Sequence, residues 1–197
     1  MSRVASLHTR RIKGALLPLL GADFMESLYR QILEMDSFQV YAYCPGDQVL
    51  GFICATDCRR GAMARLAGGI PWPGIKGLGG LFLRSPLQAI RLISTLLYPA
   101  VTGGKPQEGG ELLFIALEEE ALKKGISDRL VAESLRWLQS RGVSQAVVTA
   151  DADNTGACRL LERMGFRLLW KFIFRGVDTC MFVKEITDIE GLQQESE

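Results

Sequence analysis

The segment 118–128, with the sequence EEEALKKGISD, contains residue types that bind phosphate. It joins an apolar run to an amphipathic helix, and N–H groups in a helix's first turn lack intrahelical partners. The amino terminus of a helix therefore attracts anions, and the helix dipole stabilises a bound negative charge by about 0.3–1 kcal/mol. Gly125 allows close approach to the backbone, while Lys123 and Lys124 add charges suited to phosphate. The alternative interpretation is an ordinary loop in which Glu118–Glu120 form a solvated face.

Histidine and cysteine chemistry is restricted. The single histidine, His8, excludes a Ser-His-Asp triad away from the amino terminus and any multi-histidine metal site, so no metal is expected. The five cysteines include no Cys-x-x-Cys pair, which indicates buried or idle thiols in a reducing compartment. Cys158 is more typical of packing than of a nucleophile, because no histidine lies near it to activate it.

Composition limits the class of protein. The chain has 197 residues, 48% hydrophobic and 23% charged, which is typical of one folded domain, 1–197. A net charge of +1 argues against nucleic acid as a partner. No secretory signal is recognised, and Arg84, Pro86 and Arg91 interrupt the apolar stretch 78–101, so we expect no transmembrane segment and a cytoplasmic location.

Apolar spacing in the first part of the chain predicts a helix and a hairpin. Residues 23–33 have the helical period, with Asp23 placed as a cap. Two β-rich runs, 38–43 and 49–56, flank a Pro-Gly turn.

The second part of the chain predicts a βαβ unit followed by a helix and two strands. The predicted elements are strand 112–117, helix 127–140, strand 145–150, helix 155–164, and strands 167–175 and 179–186. Residues 112–117 and 145–150 would pair in parallel. The tail, 188–197, is polar and expected to fray.

Between these parts, residues 57–110 form a glycine- and proline-rich insertion. It holds 11 of the 21 glycines and five of the seven prolines. We predict loops with one apolar helix at 87–98, attached to a larger fold rather than forming a separate domain. Basic residues predominate here, which favours an acidic acceptor or an anionic partner surface.

The order of these elements resembles the GNAT N-acetyltransferase superfamily. Members carry an Arg/Gln-x-x-Gly-x-Gly/Ala loop after their fourth strand, and this chain has LKKGIS at 122–127. A second family pattern, Asn-x-x-Ala-x-x-Leu-Tyr-x-x-x-Gly-Phe, corresponds to NTGACRLLERMGF at 154–166. Leu122, Ser127 and Leu161 depart from these patterns.

The resemblance implies an α/β, GNAT-like (acyl-CoA N-acyltransferase) fold: a mixed central sheet flanked by helices, with the insertion between the family's strands 3 and 4. It implies acetyl-CoA as co-substrate. The residues expected to bind it are Ile115, Ala116, Leu117, Leu122, Lys123, Lys124, Gly125, Ile126, Ser127, Asn154 and Ala157. The Ser127 hydroxyl is placed to cap the helix.

The implied reaction is attack by a primary amine of a small molecule or protein on the acetyl thioester. An alkyl amine, with a pKa near ~10, must lose a proton to attack. Glu111 is the first candidate base, followed by Asp151 and Asp153, although each could be a solvated strand-end carboxylate. The resemblance implies a tyrosine at position 161 that acts as a general acid. Leu161 replaces it here, so slow catalysis is expected.

Two other functions stay open. Leu122, Ser127 and Leu161 are also compatible with a non-catalytic acyl-CoA-binding or regulatory domain. A membrane-peripheral protein that uses residues 78–98 is the third alternative. A homodimer is compatible with all three.

Overall fold

The structure, a computed structural model, describes residues 2–12, 17–59, 62, 65–66, 72–90, 109–174 and 176–186. The helices are α1 (Ser2–Arg11), α2 (Ala22–Glu34), α3 (Trp72–Arg84), α4 (Ile126–Ser140) and α5 (Thr155–Arg163). The strands are β1 (Phe38–Tyr43), β2 (Gly51–Thr56), β3 (Gly110–Leu117), β4 (Gln145–Asp151), β5 (Arg167–Phe174) and β6 (Val177–Glu185). Short 3₁₀ turns lie at Leu17–Leu20 and Glu119–Ala121.

The strands form one mixed sheet in the order β1-β2-β3-β4-β6-β5. Strands β3 and β4 are parallel, and the other neighbours are antiparallel. This confirms the predicted hairpin, the βαβ unit and the two closing strands. A parallel pair needs a long crossover, which α4 provides.

Helices cover the two faces of the sheet with separate apolar cores. Ile53 and Ala55 of β2 point toward α4 and α5, and they pack with Leu112, Leu135 and Phe182. The alternate residues of β2 face α1, α2 and α3, because successive strand side chains point to opposite faces. That second core includes Leu7, Tyr29, Phe52, Leu81 and Ala116.

Helix α1 was not predicted from the sequence. Its buried residues are Val4, Ala5, Leu7 and His8. His8 Nδ1 lies 2.6 Å from the Tyr29 hydroxyl, and its ring is 4.7 Å from that of Phe114. Burial lowers the pKa of His8 to about 4. The His8 side chain is therefore neutral at pH 7 and is buried within the second core.

Two local predictions were wrong. Asp23 lies inside α2, where the preceding Gly21, with φ of 100°, occupies the cap position. The glycine-rich residues of α3 were expected to be loop. They are helical in the structure, and packing requires glycine at one of them. A Cβ at Gly77 would collide with the backbone of Leu20, whereas a Cβ at Gly79 or Gly80 would meet no atom within 4 Å.

The predicted helix at 87–98 is seen in part. Residues 86–90 are helical, and positions 91–98 lie outside the described residues. Among the described residues, no helix has the length and apolar character needed to cross a bilayer.

Candidate active site

A cleft opens in the sheet where β3 and β4 separate. The two strands pair only at Gly110↔Ala146, Glu111↔Val147 and Leu112↔Val148. Each strand then continues with its outer neighbour, β3 with β2 to Leu117 and β4 with β6 to Asp151. The backbone edges that face each other beyond Leu112 and Val148 are therefore available to a ligand.

A β-bulge lies at the beginning of this separation. Cys54 of β2 is opposite Phe114, whereas Ala55 is opposite Leu112, so Leu113 is an extra residue in β3. A bulge interrupts the regular ladder and redirects backbone groups locally. Beyond it, Ile115 and Leu117 pack against the α4 side, while Ala116 enters the second core. The backbone of these three predicted cofactor-binding residues, rather than their side chains, borders the cleft.

The loop after β3 has the backbone geometry of an anion-binding nest. Lys123 has φ of 60° and Gly125 has φ of 70°, two left-handed residues within three positions. Such sequences turn successive N–H groups toward one side. Gly125 is the residue before α4, whose amino terminus has no side-chain cap. A Cβ at Gly125 would have no atom within 4 Å, so the space above it is open.

The side chains of the loop leave this nest accessible. Leu122, Lys123 and Lys124 are exposed, whereas Ile126 is buried and anchors the start of α4. The prediction that Ser127 caps the helix was wrong, because its hydroxyl donates to Asp128 Oδ2 over 3.2 Å.

Three acidic residues around the loop, Glu118, Glu119 and Asp128, are paired with arginines. The Glu118 carboxylate forms ion pairs with the guanidinium groups of Arg10 at 2.6 Å and Arg11 at 2.7 Å. Arg11 also pairs with the Glu119 carboxylate at 2.9 Å. The solvated face predicted for Glu118–Glu120 is therefore wrong for Glu118, whose side chain is only 16% exposed. Asp128, in the first turn of α4, pairs with Arg163 of α5 at 2.7 Å. These pairs compensate negative charge beside a site that would hold an anion.

The second predicted motif begins at the end of β4. Asn154 Oδ1 accepts a hydrogen bond from the Ala157 N–H at 3.1 Å and so caps α5. Leu161 is buried in the core between α5 and the sheet. Because an apolar side chain occupies this position, it offers no proton to a leaving group.

Cys158 lies on α5, close to the end of β4. Burial raises the pKa of its thiol, and Sγ is 3.9 Å from the Asp151 carbonyl oxygen. A thiol held protonated packs rather than attacks, which agrees with the sequence interpretation.

Glu111 lies at the paired end of β3, on the face opposite to Leu112. Its Oε2 is 3.5 Å from Nε of Arg59, and both side chains are mostly buried. Burial raises the pKa of Glu111, and Arg59 opposes that shift. A carboxylate with a raised pKa is a stronger base, as general-base catalysis requires.

Asp151 is on the same face as Glu111 but at the other end of the cleft. Glu111 is in register with Val147, four residues before Asp151, which corresponds to roughly 13 Å along the strand. The two predicted carboxylates therefore lie too far apart to act on one nitrogen atom. Asp153 is exposed in the turn that follows β4.

Three arginines near the site were missed by the sequence interpretation. Arg10 and Arg11 reach the loop from α1, and Arg59 reaches Glu111 from the segment after β2. The helical spacing of Val4, Leu7 and His8 was an available signal for α1. No local pattern indicated the partners, because each pair joins distant parts of the chain.

Comparison with known proteins agrees with this geometry. The family described as "Acetyltransferase (GNAT) family" matches residues 11–166. A mycothiol acetyltransferase from Arthrobacter sp. (strain FB24) is 36% identical over 64 residues, which are 32% of this chain and 20% of that protein. The similarity to this curated relative is thus confined to about a fifth of its length.

Solved structures share the fold. An N-acetyltransferase from Staphylococcus aureus Mu50 has a TM-score of 0.58 at 13% identity, with 94% of this chain and 92% of that chain covered. Arabidopsis thaliana NAA60, in complex with acetyl-CoA, has a TM-score of 0.50 at 17% identity, with 85% of each chain covered. The family match covers most of the chain, and the sheet has the arrangement expected from the two motifs. The chain belongs to the GNAT acetyltransferase family.

Proposed function

We propose that this protein is an acetyl-CoA-dependent N-acetyltransferase that acetylates a primary amine on a small molecule or protein by direct attack. The observation that carries this proposal is the coincidence of the β3–β4 cleft with the left-handed loop at 122–125. The cleft would admit the extended acyl-pantetheine arm of the cofactor between β3 and β4. The loop would bind the phosphates of the cofactor.

The cofactor site is assigned to backbone groups. The N–H groups of the loop and of the first turn of α4 would hold the pyrophosphate, because they lack intrahelical partners. The backbone of Ile115, Ala116 and Leu117 would align the pantetheine arm along β3. Lys123 and Lys124 add positive charge, while Asn154 and Ala157 border the site at the start of α5. The known complex of NAA60 with acetyl-CoA supports this choice of ligand.

Glu111 is proposed as the base for the acceptor. It would take a proton from the ammonium form of the amine, directly or through water, and the freed nitrogen would attack the thioester carbonyl carbon. A backbone N–H of β3 beside the bulge at Leu113, where the cleft begins, would donate a hydrogen bond to the carbonyl oxygen. Leu117 is six residues from Glu111, roughly 20 Å along the strand, and is too far away for this role. The C–N bond forms and the C–S bond breaks, with its electron pair leaving on the coenzyme A thiolate. The second proton of the nitrogen passes to that thiolate or to solvent as the amide is released.

Acetyl-CoA supplies the activated acetyl group and a leaving thiol with a pKa near ~8.5. Such a thiol can depart as the thiolate, so the buried Leu161 does not prevent the reaction. General-acid assistance contributes about 10²–10⁴-fold where it is present. We therefore propose an enzyme slower than relatives that carry tyrosine at this position.

A non-catalytic acyl-CoA binder is the second candidate. It is favoured by the exposed Leu122 in place of a polar side chain and by the apolar, buried Leu161. The ion pair between Glu111 and Arg59 is compatible with this candidate as a purely structural contact.

Two measurements test the proposal in sequence. Isothermal titration with acetyl-CoA and with coenzyme A measures binding, and the release of free thiol with a panel of primary amines then measures transfer. Binding together with amine-dependent thiol release is the expected result. Binding without release on any amine would favour the second candidate, and the absence of binding would reject both.

A further inference from the structure

The described segment 76–90 of the insertion has an apolar surface on the side that does not face the core. Its inner side packs in the second core through Leu78, Leu81 and Ala89. A helix that buries one apolar face normally has a polar outer face. In the segment 76–90 that expectation fails, because the outer side is also apolar.

Four large apolar side chains make up this outer surface, which we call the insertion patch. Leu83 is 91% exposed, Leu87 72%, Ile90 57% and Phe82 42%. They lie within nine consecutive residues at the end of α3 and in the helical stretch 86–90. Single exposed leucines are ordinary on a protein surface, but a contiguous group marks a contact site.

The charge of the surrounding sequence has one sign. Residues 58–107 contain no aspartate or glutamate. Among the described basic residues of that span, Arg65, Lys76 and Arg84 are exposed, whereas Arg59 is mostly buried beside Glu111. Arg84 is exposed within the insertion patch, between Leu83 and Leu87. Apolar side chains combined with basic ones are the composition of surfaces that lie in the headgroup region of a bilayer.

We propose that the insertion patch docks the protein on an anionic lipid surface, with the leucine side chains in the interface and Arg84 at the headgroups. The docking is peripheral, since it uses side chains at the end of α3 and in the stretch 86–90 and not a spanning segment. This inference does not depend on the acetyl transfer proposed above.

A second copy of the chain is a less suitable occupant of the insertion patch. Most homodimers are two-fold symmetric, so the same patch would meet itself. Arg84 within the patch would then lie close to Arg84 of the second copy, without an acid in residues 58–107 to pair with it. An anionic bilayer satisfies both the apolar and the cationic parts of the surface.

Vesicle co-sedimentation of the full chain tests the proposal. Phosphatidylcholine vesicles with phosphatidylglycerol should bind at least about five-fold more protein than phosphatidylcholine alone, because Arg84 would lie at the headgroups. The double variant Leu83→Gln/Leu87→Gln should lose at least about ten-fold in binding to the anionic vesicles. Glutamine retains helix propensity, so α3 should still form.

Two matched variants separate the contributions. Ile173→Gln removes an apolar side chain that is 74% exposed on β5, and it should leave vesicle binding unchanged. Arg84→Gln should weaken binding to anionic vesicles about five-fold. Thermal unfolding of each variant, without vesicles, should match the wild type.

Three results would overturn the proposal. One is no wild-type binding to anionic vesicles, and another is equal binding by the Leu83→Gln/Leu87→Gln variant. The third is a concentration-dependent dimer in sedimentation velocity that this variant abolishes, because the patch would then be covered by a second copy.

Discussion

Nε of Arg11 donates to Oε2 of Glu118 over 2.7 Å. This contact ties the amino-terminal helix to the residue that leaves β3, just before the loop at 122–127. Hydrogen bonds from Arg10 and Arg11 lower the pKa of Glu118, so this carboxylate is charged at neutral pH. The two arginines thereby compensate a negative charge next to the proposed phosphate site.

Removal of these arginines should weaken cofactor binding. In Arg10→Gln/Arg11→Gln, Glu118 and Glu119 would repel the phosphates of acetyl-CoA, and we expect a five- to ten-fold higher Kd, equivalent to about 1–1.4 kcal/mol. Titration calorimetry measures this change. Adding Glu118→Gln/Glu119→Gln should restore affinity, and Arg136→Gln, which removes an exposed pair with Glu133 on α4, should have no effect. An unrestored Kd would mean that the arginines act by shape rather than charge.

Gly125 is expected to be essential for binding. Alanine in a left-handed conformation costs about 1–2 kcal/mol, so Gly125→Ala should distort the nest and largely remove the thermal shift produced by coenzyme A. Gly46→Ala is the matched control, because Gly46 has φ of 69° in the hairpin turn. Both variants should lose similar stability without ligand, but Gly46→Ala and Cys158→Ala should retain the thermal shift. A normal shift for Gly125→Ala would contradict the phosphate-loop assignment.

Protonation of Glu111 should determine how kcat/KM falls at acidic pH. Glu111→Gln is expected to lower kcat about 10²–10⁴-fold, with little change in the Kd of acetyl-CoA. In the wild type, kcat/KM should fall as pH drops through the raised pKa of Glu111. Because Arg59 opposes that rise, Arg59→Gln should move the acid limb to higher pH.

Arg65 supplies the control for this experiment. It donates to the Cys58 carbonyl oxygen at 2.9 Å, not to Glu111, so Arg65→Gln should leave the limb in place. Turnover by Glu111→Gln equal to that of the wild type would remove Glu111 from the role of base.

His8 should make the fold acid-sensitive. Its pKa is lowered from 6.5 to about 4 by burial, so stability is fully present above pH 6.5 and is lost as pH falls toward 4. The loss between pH 7.5 and pH 4 is about 3 kcal/mol from this group. Urea unfolding at the two pH values measures it.

The variant His8→Leu/Tyr29→Phe removes both hydrogen-bonding partners, which avoids an unsatisfied buried hydroxyl. Its stability should fall by about 3 kcal/mol less than that of the wild type over the same pH interval. Carboxylates such as Glu118 titrate in both proteins, so the difference reports His8. If the free energy of unfolding had the same pH dependence in both proteins, protonation of His8 would not destabilise the fold.

Much of the fold was predictable because its signals are local. The apolar spacing in α2, α4 and α5, and the alternation or apolar runs of the strands, depend only on nearby residues. Helix α1 was missed although Val4, Leu7 and His8 have helical spacing, because His8 is polar and only two large apolar residues mark the buried face. Helix α3 was missed because glycine disfavours a helix by about 1 kcal/mol per residue, and packing against Leu20 explains its use at Gly77 alone.

The candidate site was predicted in its backbone and not in its side chains. Gly125 lies in the loop after β3 and Asn154 in the turn after β4. Each belongs to a short sequence motif, so the sequence located both segments. The distance between Glu111 and Asp151 depends on the register of β3 against β4, which no local pattern specifies. The partners Arg59, Arg10 and Arg11 likewise come from distant segments.

By itself, the sequence determined the order of the strands and of helices α2, α4 and α5, the two turns of the site and the family to which the chain belongs. Only the tertiary structure decided where β3 and β4 part, which acids are neutralised, and which apolar side chains of the insertion stay outside the core. The physical reason is range: propensity and turn chemistry act over a few residues, whereas pairing register, burial and charge compensation arise between segments that meet only after folding.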